Sequence, residues 1–403
     1  MRLTHLSLSN FRNYARLEWE LPAGPSLLVG DNAQGKSNLL EAVTCLATAR
    51  SFRASTEREL IHWLALNDPQ PYARLVGQVE KKSGPIKAEV VLVTGVGGHH
   101  AAGGDQPLGV PTQPMEVSKR LKLNGAPKRA VDYIGTINVV SFTPEDLDLI
   151  GGPPSMRRRY LDVLLAQVDS RYYRALSRYN KVLVQRNHLL RRIAARQDDP
   201  LQLSFWDDEL VSNGSYMVAA RQRAVQGLDG RSGEVHRQLT GAAEQLAVIY
   251  RPSVDAGLGA IAGTEEQIAS RFREELQRCH QRELHQGVSL LGPHRDDLGF
   301  LVDGVDMHIY GSRGQQRTIA LSLKLAEVAT VRALVGEDPI LLLDDIMSEL
   351  DPDRRRWILA TIGPDQQTLL TATETEHFTA EFLAQASVFQ VKAGTIQHLS
   401  RES

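Results

Sequence analysis

The sequence predicts an α/β protein in which β-rich ends flank a mainly helical middle. Residues 27–29 form a short apolar strand that leads through a glycine-rich loop into a helical pattern at 38–43. Residues 340–343 form a second buried strand, which ends in two acidic residues. Between these strands, residues 151–286 show helical spacing with abundant Leu, Ala, Arg and Glu. We therefore expect one discontinuous α/β domain with a helical insertion.

Strand signals dominate the N-terminal part of the chain. Residues 3–8 alternate apolar and polar side chains, and this period of two indicates a strand. Asn124-Gly125 is a strong signal for a two-residue hairpin turn. The same criteria predict further strands at residues 17–21, 72–79, 86–94 and 136–142.

Helical spacing begins at residue 155, and strands return after residue 287. The predicted helices are 155–197, 205–227 and 265–286, with breaks at 169–170, 198–200 and 227–230. In the C-terminal part, Asp303-Gly304 predicts another hairpin. It is followed by a helix at 314–335 and strands at 340–343, 368–371 and 387–391.

The predicted domains follow from this order of elements. Residues 1–150 and 287–403 would form the discontinuous α/β domain, and 151–286 a helical lobe. Residues 95–114 are rich in Gly and Pro and contain almost no core-forming side chains, so we predict a flexible insertion there. Its role is left open.

Composition limits the classes of protein that fit. The 403 residues carry a net charge of −2, so the bulk charge does not indicate nucleic-acid binding, and any DNA-binding surface would need basic residues gathered on one face. No apolar stretch approaches the roughly 20 residues that span a bilayer, and the N-terminus lacks the apolar segment of a signal peptide. Two distant cysteines are expected to be reduced thiols. We therefore expect a cytoplasmic protein without a membrane partner.

A phosphate-binding loop of the form G-x-x-x-x-G-K-[ST] follows the first buried strand. It consists of Gly30, Asp31, Asn32, Ala33, Gln34, Gly35, Lys36 and Ser37. In such a loop, backbone N–H groups and the helix N-terminus surround a phosphate. Lys36 can reach the β- and γ-phosphates, and the Ser37 hydroxyl can bind Mg²⁺. The alternative is a glycine-rich surface turn.

Two acidic residues can complete this site. Asp344 follows the apolar strand at 340–343 and is the expected second Mg²⁺ ligand. Asp345 is expected to orient or deprotonate the attacking water, which makes it, with Lys36, a candidate catalytic residue. About 300 residues separate the two halves, far more than in simple nucleotide kinases.

Ser312, Gly314 and Gln315 open the predicted helix before this strand. The segment resembles the ABC signature, in which Ser and Gly at a helix N-terminus hold the γ-phosphate of a nucleotide bound to a partner subunit. A plain N-cap at Ser312 would explain the same string. Residues 347–351 resemble the D-loop of ABC ATPases, and 371–374 occupy the switch position but lack the His that transporters carry there.

The whole chain resembles the RecF family, bacterial recombination and repair ATPases of the SMC-like branch of ABC ATPases. Blocks in family order are found at residues 9–14, 30–37, 143–147, 157–162, 292–297, 312–317 and 341–351. The insertion at 95–114 departs from the family pattern.

The resemblance implies an ABC-type ATPase head, a mixed sheet with flanking helices, with an inserted helical lobe. It implies a weak ATPase that uses ATP and Mg²⁺, and a homodimer closed by two ATP molecules that binds DNA at single-strand gaps and single/double-strand junctions. Family partners are RecR and RecO, which help to place RecA on DNA and support SOS induction. Arg12 matches a family position near the nucleotide.

Three other functions are compatible with parts of the sequence. An ABC transporter ATPase subunit would need a surface for a membrane partner and normally the switch His, and the sequence shows neither clearly. Another SMC-like ATPase would be supported by a long coiled coil or a nuclease domain, and neither is present. A small-molecule kinase is disfavoured by the signature helix.

Arginine clusters are candidates for DNA phosphate contacts, although most charge runs are only solvated helix faces. The clusters are Arg50 and Arg53; residues 157–159; Arg186, Arg191 and Arg192; and residues 354–356. Without an evident base-stacking patch, backbone contacts are expected, and they should weaken with salt.

Overall fold

The computed structural model describes residues 1–95, 117–254 and 263–399, and it divides into two compact units. Unit 1 combines Met1–Pro144 with Glu337–Ser403, and unit 2 is Glu145–Gly336. The predicted flexible insertion at 95–114 lies outside the described residues, except for Gly95.

The first part of unit 1 contains an antiparallel sheet and a buried helix. Its elements are β1 (Arg2–Phe11), β2 (Tyr14–Glu20), β3 (Pro25–Val29), α1 (Lys36–Thr48), β4 (Tyr72–Glu80), β5 (Ile86–Thr94), β6 (Val117–Leu123), β7 (Ala126–Lys128), α2 (Ala130–Tyr133) and β8 (Val139–Phe142). The sheet has the strand order β2-β1-β4-β5-β6-β7. The hairpin predicted at Asn124-Gly125 is confirmed, because it joins β6 to β7.

Unit 2 combines long helices with a three-stranded antiparallel sheet. Its elements are α3 (Pro154–Val168), α4 (Ser170–Ala194), α5 (Leu203–Leu239), β9 (Leu246–Arg251), α6 (Glu265–Gln286), β10 (Asp297–Val302), β11 (Val305–Asp306), α7 (Met307–Tyr310) and α8 (Arg313–Val335). The apolar faces of α4, α5 and α6 form its main core around Tyr179, Met217 and Phe272. Helix α5 also packs along α8 and β9.

The C-terminal part of unit 1 completes a second, mostly parallel sheet. It contributes β12 (Ile340–Asp344), α9 (Pro352–Thr361), β13 (Thr368–Ala372), α10 (Ala380–Gln385), β14 (Ser387–Lys392) and β15 (Thr395–His398). The strand order is β15-β14-β3-β13-β12-β8, with only β15 antiparallel to its neighbour. Helix α1 contacts strands of both sheets, and it is buried along most of its length. Strands β3, β12 and β13 are buried at every position, as their continuous apolar runs predict.

Two details differ from the sequence predictions. The predicted break at 227–230 is wrong, because α5 continues through it to Leu239. Each helical glycine costs about 1 kcal/mol relative to Ala, and burial of Leu228 and packing of α5 against α8 and β9 offset this cost. Residues 287–336 were expected in the α/β domain but lie in unit 2, because β10 pairs with β9 and α8 packs on α5.

Among the described residues, no helix is both long enough and apolar enough to cross a membrane. Cys45 and Cys279 are buried free thiols, as the sequence predicts. Burial raises the pKa of Cys279 to about 12, so this thiol stays protonated at neutral pH.

Candidate nucleotide site

The predicted phosphate loop connects the end of β3 to the first residue of α1. Its two glycines are required by geometry. Gly35 has φ +115°, a backbone conformation that favours glycine. A Cβ on Gly30 would lie 2.3 Å from the carbonyl oxygen of Val391, a contact that no side chain tolerates. The backbone conformation of the loop therefore requires glycine at both positions.

Neighbouring segments of unit 1 hold the loop from two sides. From the β1–β2 turn, Asn13 Nδ2 donates to the Gln34 carbonyl at 2.9 Å and Tyr14 Oη donates to the Gly35 carbonyl at 3.0 Å. From the β14–β15 turn, Ala393 N–H donates to Gln34 Oε1 at 2.8 Å. Asn13 and Tyr14 belong to the sequence block at 9–14, so this block supports the loop. Asp31, Asn32 and Ala33 remain exposed at its tip.

Lys36 lies under the loop, with its ammonium group directed at backbone carbonyls. Its Nζ donates to Gly30 O at 2.5 Å and to Asp31 O at 2.8 Å, and only 7% of the residue is exposed. Burial lowers the pKa of Lys36, while the charges of Asp345 and Asp344 act in the opposite direction. Negatively charged oxygens form stronger hydrogen bonds with an ammonium group than neutral carbonyls do. Lys36 can therefore exchange its carbonyl partners for a bound anion.

Ser37 and Asp344, 307 residues apart in sequence, meet at the carboxyl end of β12. Ser37 Oγ donates to Asp344 Oδ1 at 2.7 Å. Thr371, at the end of β13, donates its hydroxyl to the same oxygen at 2.8 Å and accepts from Asp345 N–H at 2.8 Å. One hydroxyl therefore orients both acidic residues. The sequence placed Thr371 only at the switch position, and no spacing rule indicated this role.

Asp345 has a strained backbone and a perturbed carboxyl group. Its φ is +50°, which is uncommon for a residue with a side chain. Its carbonyl accepts from Ser348 Oγ at 2.7 Å. Burial raises the pKa of Asp345 above its ordinary value, and the adjacent charge of Asp344 adds to this effect.

Arg12 is engaged elsewhere in unit 1. Its guanidinium forms a bidentate ion pair with Glu41 of α1, with Nη2 at 2.7 Å and Nε at 2.8 Å from the carboxylate oxygens. Glu41 is fully buried, and Arg12 Nη1 also donates to the Glu59 carbonyl at 3.0 Å. In this structure Arg12 anchors the β1–β2 turn to α1, and its contact with a nucleotide stays a prediction.

The predicted signature residues lie in unit 2, where Ser312 is the N-cap of α8. Gln315 N–H donates to Ser312 Oγ at 3.2 Å, and Ser312 N–H donates to Gln315 Oε1 at 3.1 Å, which together form a capping box. Ser312 and Gly314 are exposed. The N-cap interpretation is therefore confirmed. The Ser312 residue that forms the cap is exposed at the N-terminus of α8.

Two of the candidate DNA-contacting arginines are unavailable for phosphate. Arg157 is 2% exposed and pairs with Asp297, and Arg186 is 0% exposed and pairs with Asp207 and Glu283. The hypothesis that these two side chains contact DNA is wrong, because both guanidinium groups are buried and form ion pairs inside unit 2. Their helical spacing alone could not separate a buried arginine from a solvated one.

The side chains in unit 1 fit a magnesium nucleotide. A serine hydroxyl and a carboxylate on one oxygen-rich edge are ligands that Mg²⁺ prefers, with phosphates and water completing the shell. Among the described residues there is no group of three or more His, Cys, Asp or Glu that could hold a metal by itself.

A buried parallel sheet, a phosphate loop before α1 and a carboxylate at the end of a neighbouring strand define a P-loop ATPase head of the ABC type. The family model described as "RecF/RecN/SMC N terminal domain" matches residues 2–397. The DNA replication and repair protein RecF of Chloroflexus aurantiacus is 43% identical over 403 residues, covering 98% of this chain and 99% of that protein. The chain belongs to the RecF family.

Solved structures agree with this assignment. A structure described as "Structure of the recombination mediator protein RecF-ATP in RecFOR pathway" is similar with a TM-score of 0.84 and 30% identity, covering 99% of this chain and 97% of that one. A structure described as "Crystal structure of the SmcHead bound to the C-winged helix domain of ScpA" has a TM-score of 0.52 at 13% identity, covering 100% of this chain and 98% of that one. The second likeness extends to the fold alone.

Proposed function

We propose that this protein is an ATP-gated DNA-binding dimer of recombinational repair. The observation that supports this most directly is the 2.7 Å contact between Ser37 Oγ and Asp344 Oδ1, which joins the two distant halves of a nucleotide site. The similarity to a recombination mediator described with ATP supports the choice of nucleotide. ATP binding would close the dimer, and slow hydrolysis would reset it.

The proposed roles within unit 1 follow from the chemistry of each group. Lys36 and the loop N–H groups of residues 30–37 would bind the β- and γ-phosphates. Ser37 and Asp344 would supply two oxygen ligands to Mg²⁺, which offsets phosphate charge. Asp345 would accept a proton from the attacking water or orient it. Its carboxylate is one methylene shorter than a glutamate, which is consistent with slow turnover.

The second half of each site would come from another copy of the chain. Ser312 and Gly314 are exposed at the N-terminus of α8, where the helix dipole favours an anion. We propose that they, with Gln315 beside them, contact the γ-phosphate bound to the partner. The site would then be incomplete in a monomer, and ATP would act as the dimerisation switch.

The biological setting that we propose is that of the family. The dimer would act in the cytoplasm at single-strand gaps or single/double-strand junctions. It would work with RecR and RecO to help load RecA and support SOS induction. The full-length match to RecF proteins favours this function over a transporter ATPase subunit or another SMC-like ATPase.

Sedimentation and DNA binding, each measured with ATP, with ADP and without nucleotide, test this proposal. We expect that ATP alone gives a dimer with raised affinity for gapped DNA, and that this affinity falls steeply with salt. In Ser312→Arg, we expect the monomer to bind ATP normally and fail to dimerise. DNA affinity that is the same with ATP, with ADP and without nucleotide would contradict the ATP-gated model. If the Ser312→Arg monomer no longer binds ATP, Ser312 does not act on the nucleotide of a partner subunit.

Thr371→Val is expected to lower kcat about tenfold with little change in ATP affinity. Valine keeps the shape of threonine but loses the hydroxyl that bridges Asp344 and Asp345, and loss of such an orienting group typically costs 10- to 100-fold in activity. Steady-state ATPase assays measure the effect, and Thr371→Ser, which restores the hydroxyl, is the matched control. Equal activity of the Val and Ser variants would contradict the role.

A further inference from the structure

A chain of hydrogen bonds in unit 2 runs from the end of α5 to the first turn of α8. His236, in the last turn of α5, is 0% exposed. Its Nδ1 lies 3.2 Å from Ser322 Oγ of α8, and its Nε2 lies 3.0 Å from Glu244 Oε2. The other oxygen of Glu244 accepts from Gln315 Nε2 at 3.1 Å. The turn that contains Glu244 therefore links the two helices.

Glu244 determines which way the Gln315 amide points. A carboxylate only accepts hydrogen bonds, so the NH₂ group of Gln315 must face Glu244. The amide oxygen then faces Ser312 and accepts its N–H at 3.1 Å. In return, Gln315 N–H donates to Ser312 Oγ at 3.2 Å. The amide orientation thus ties the Ser312 backbone to the Gln315 side chain, while the Gln315 backbone holds the Ser312 hydroxyl.

Glu244 is also held by His236. A carboxylate only accepts hydrogen bonds, so His236 Nε2–H donates to Glu244 Oε2 at 3.0 Å. The other ring nitrogen, Nδ1, lies 3.2 Å from Ser322 Oγ of α8, which also lies 2.8 Å from the Thr318 carbonyl. Glu244 is consequently held by an imidazole N–H on one side and an amide on the other.

We propose that Glu244 is a positioning residue that acts through Gln315 on Ser312, and that His236 holds Glu244 in place. This inference rests on the proposed function, in which Ser312 contacts the nucleotide of a second copy. Glu244 touches no nucleotide in this scheme. Its loss would leave the Gln315 amide free to rotate, and Ser312, which carries the signature hydroxyl, would lose the side-chain half of its capping box before the dimer forms.

The test compares Glu244→Ala, Gln315→Ala and the double variant in the full-length chain. ATP binding to the monomer is measured with a fluorescent ATP analogue, and ATP-dependent dimerisation by sedimentation. We expect Glu244→Ala to weaken dimerisation about tenfold, the effect of losing one charge-assisted hydrogen bond, and to leave ATP binding unchanged. Gln238→Ala, which alters an exposed side chain two residues after His236, is the control and should change neither quantity.

The double variant decides whether Glu244 acts through Gln315. If it does, Glu244→Ala weakens dimerisation less than about twofold further when Gln315→Ala is already present. If the two residues act independently, Glu244→Ala weakens dimerisation as much in that background as in the parent protein, and the inference is overturned. Glu244→Gln keeps one hydrogen-bond acceptor, so its dimerisation constant should lie between those of the parent protein and Glu244→Ala. This variant provides the comparison if the alanine variant does not fold. Unchanged dimerisation in both Gln315→Ala and Ser312→Arg would refute the trans role itself. Impaired dimerisation in those two variants but not in Glu244→Ala would refute only the positioning role.

Discussion

Replacement of Lys36 by alanine is expected to weaken ATP binding roughly 100-fold and to abolish ATP-dependent dimerisation and DNA binding with it. The ammonium is buried and is held by two carbonyls of the loop, and burial lowers its pKa. Phosphate oxygens are better partners, because a hydrogen bond to a charged group contributes about 1.5–3 kcal/mol, and Lys36 can reach two phosphates. Each 1.4 kcal/mol lost is a factor of ten in affinity.

Equilibrium binding of a fluorescent ATP analogue measures this effect, with Lys128→Ala as the matched control. Lys128 lies on β7, is exposed and should tolerate the change without effect. The Lys36→Ala chain should still fold, since water can reach the exposed end of the loop. ATP affinity within threefold of the parent protein would show that the loop does not bind phosphate through this side chain. Lost ATP binding with retained ATP-dependent DNA binding would contradict the gating model.

Unit 1 could be predicted closely from sequence because its elements have strong local signals. Strands such as β5, at Ile86–Thr94, fall where alternation predicts them. The contact between Ser37 and Asp344 could also be anticipated, because parallel strands bring their carboxyl ends to one edge of a sheet. Thr371 could not be identified in this way. Its role depends on two hydrogen bonds across neighbouring strands, and a threonine at a strand end has no distinguishing pattern.

Unit 2 was harder to predict because tertiary contacts override local signals there. The glycines at 227 and 230 indicate a break, yet packing on α8 and β9 keeps α5 helical. The block at 292–297 was recognisable as a motif, but its meaning required the structure. His294 is half-buried and bonds to Tyr179 Oη at 2.7 Å, and burial lowers its pKa to about 4, so the ring is neutral at neutral pH and serves as a packing contact within unit 2.

The same block explains the second large expected effect, which is the loss of stability in Arg221→Met. Arg221 is 1% exposed and joins α5 to three other segments. Its guanidinium donates to Asp162 Oδ1 of α3 at 2.8 Å, to Tyr172 Oη of α4 at 2.9 Å, and to Asp296 Oδ2 at 3.0 Å. Asp296 is 0% exposed, so removal of the arginine leaves a buried carboxylate without its cation. We expect the free energy of unfolding to fall by about 3–5 kcal/mol.

Urea unfolding measures this change, and Arg178→Met is the matched control. Arg178, also on a helix of unit 2, pairs with Glu209 at 2.8 Å, but its side chain is 52% exposed, so its loss should cost no more than about 1 kcal/mol. Equal losses in the two variants would show that the buried network contributes no more than a surface pair. Adding Asp296→Asn to Arg221→Met should recover part of the stability, because an amide needs no counter-charge. The amide oxygen can keep the bond from Ser253 N–H, and the amide NH₂ can donate to Tyr250 Oη, which lies at the other carboxylate oxygen of Asp296. Such recovery would locate the cost in the unpaired carboxylate and not in lost packing of the arginine stem.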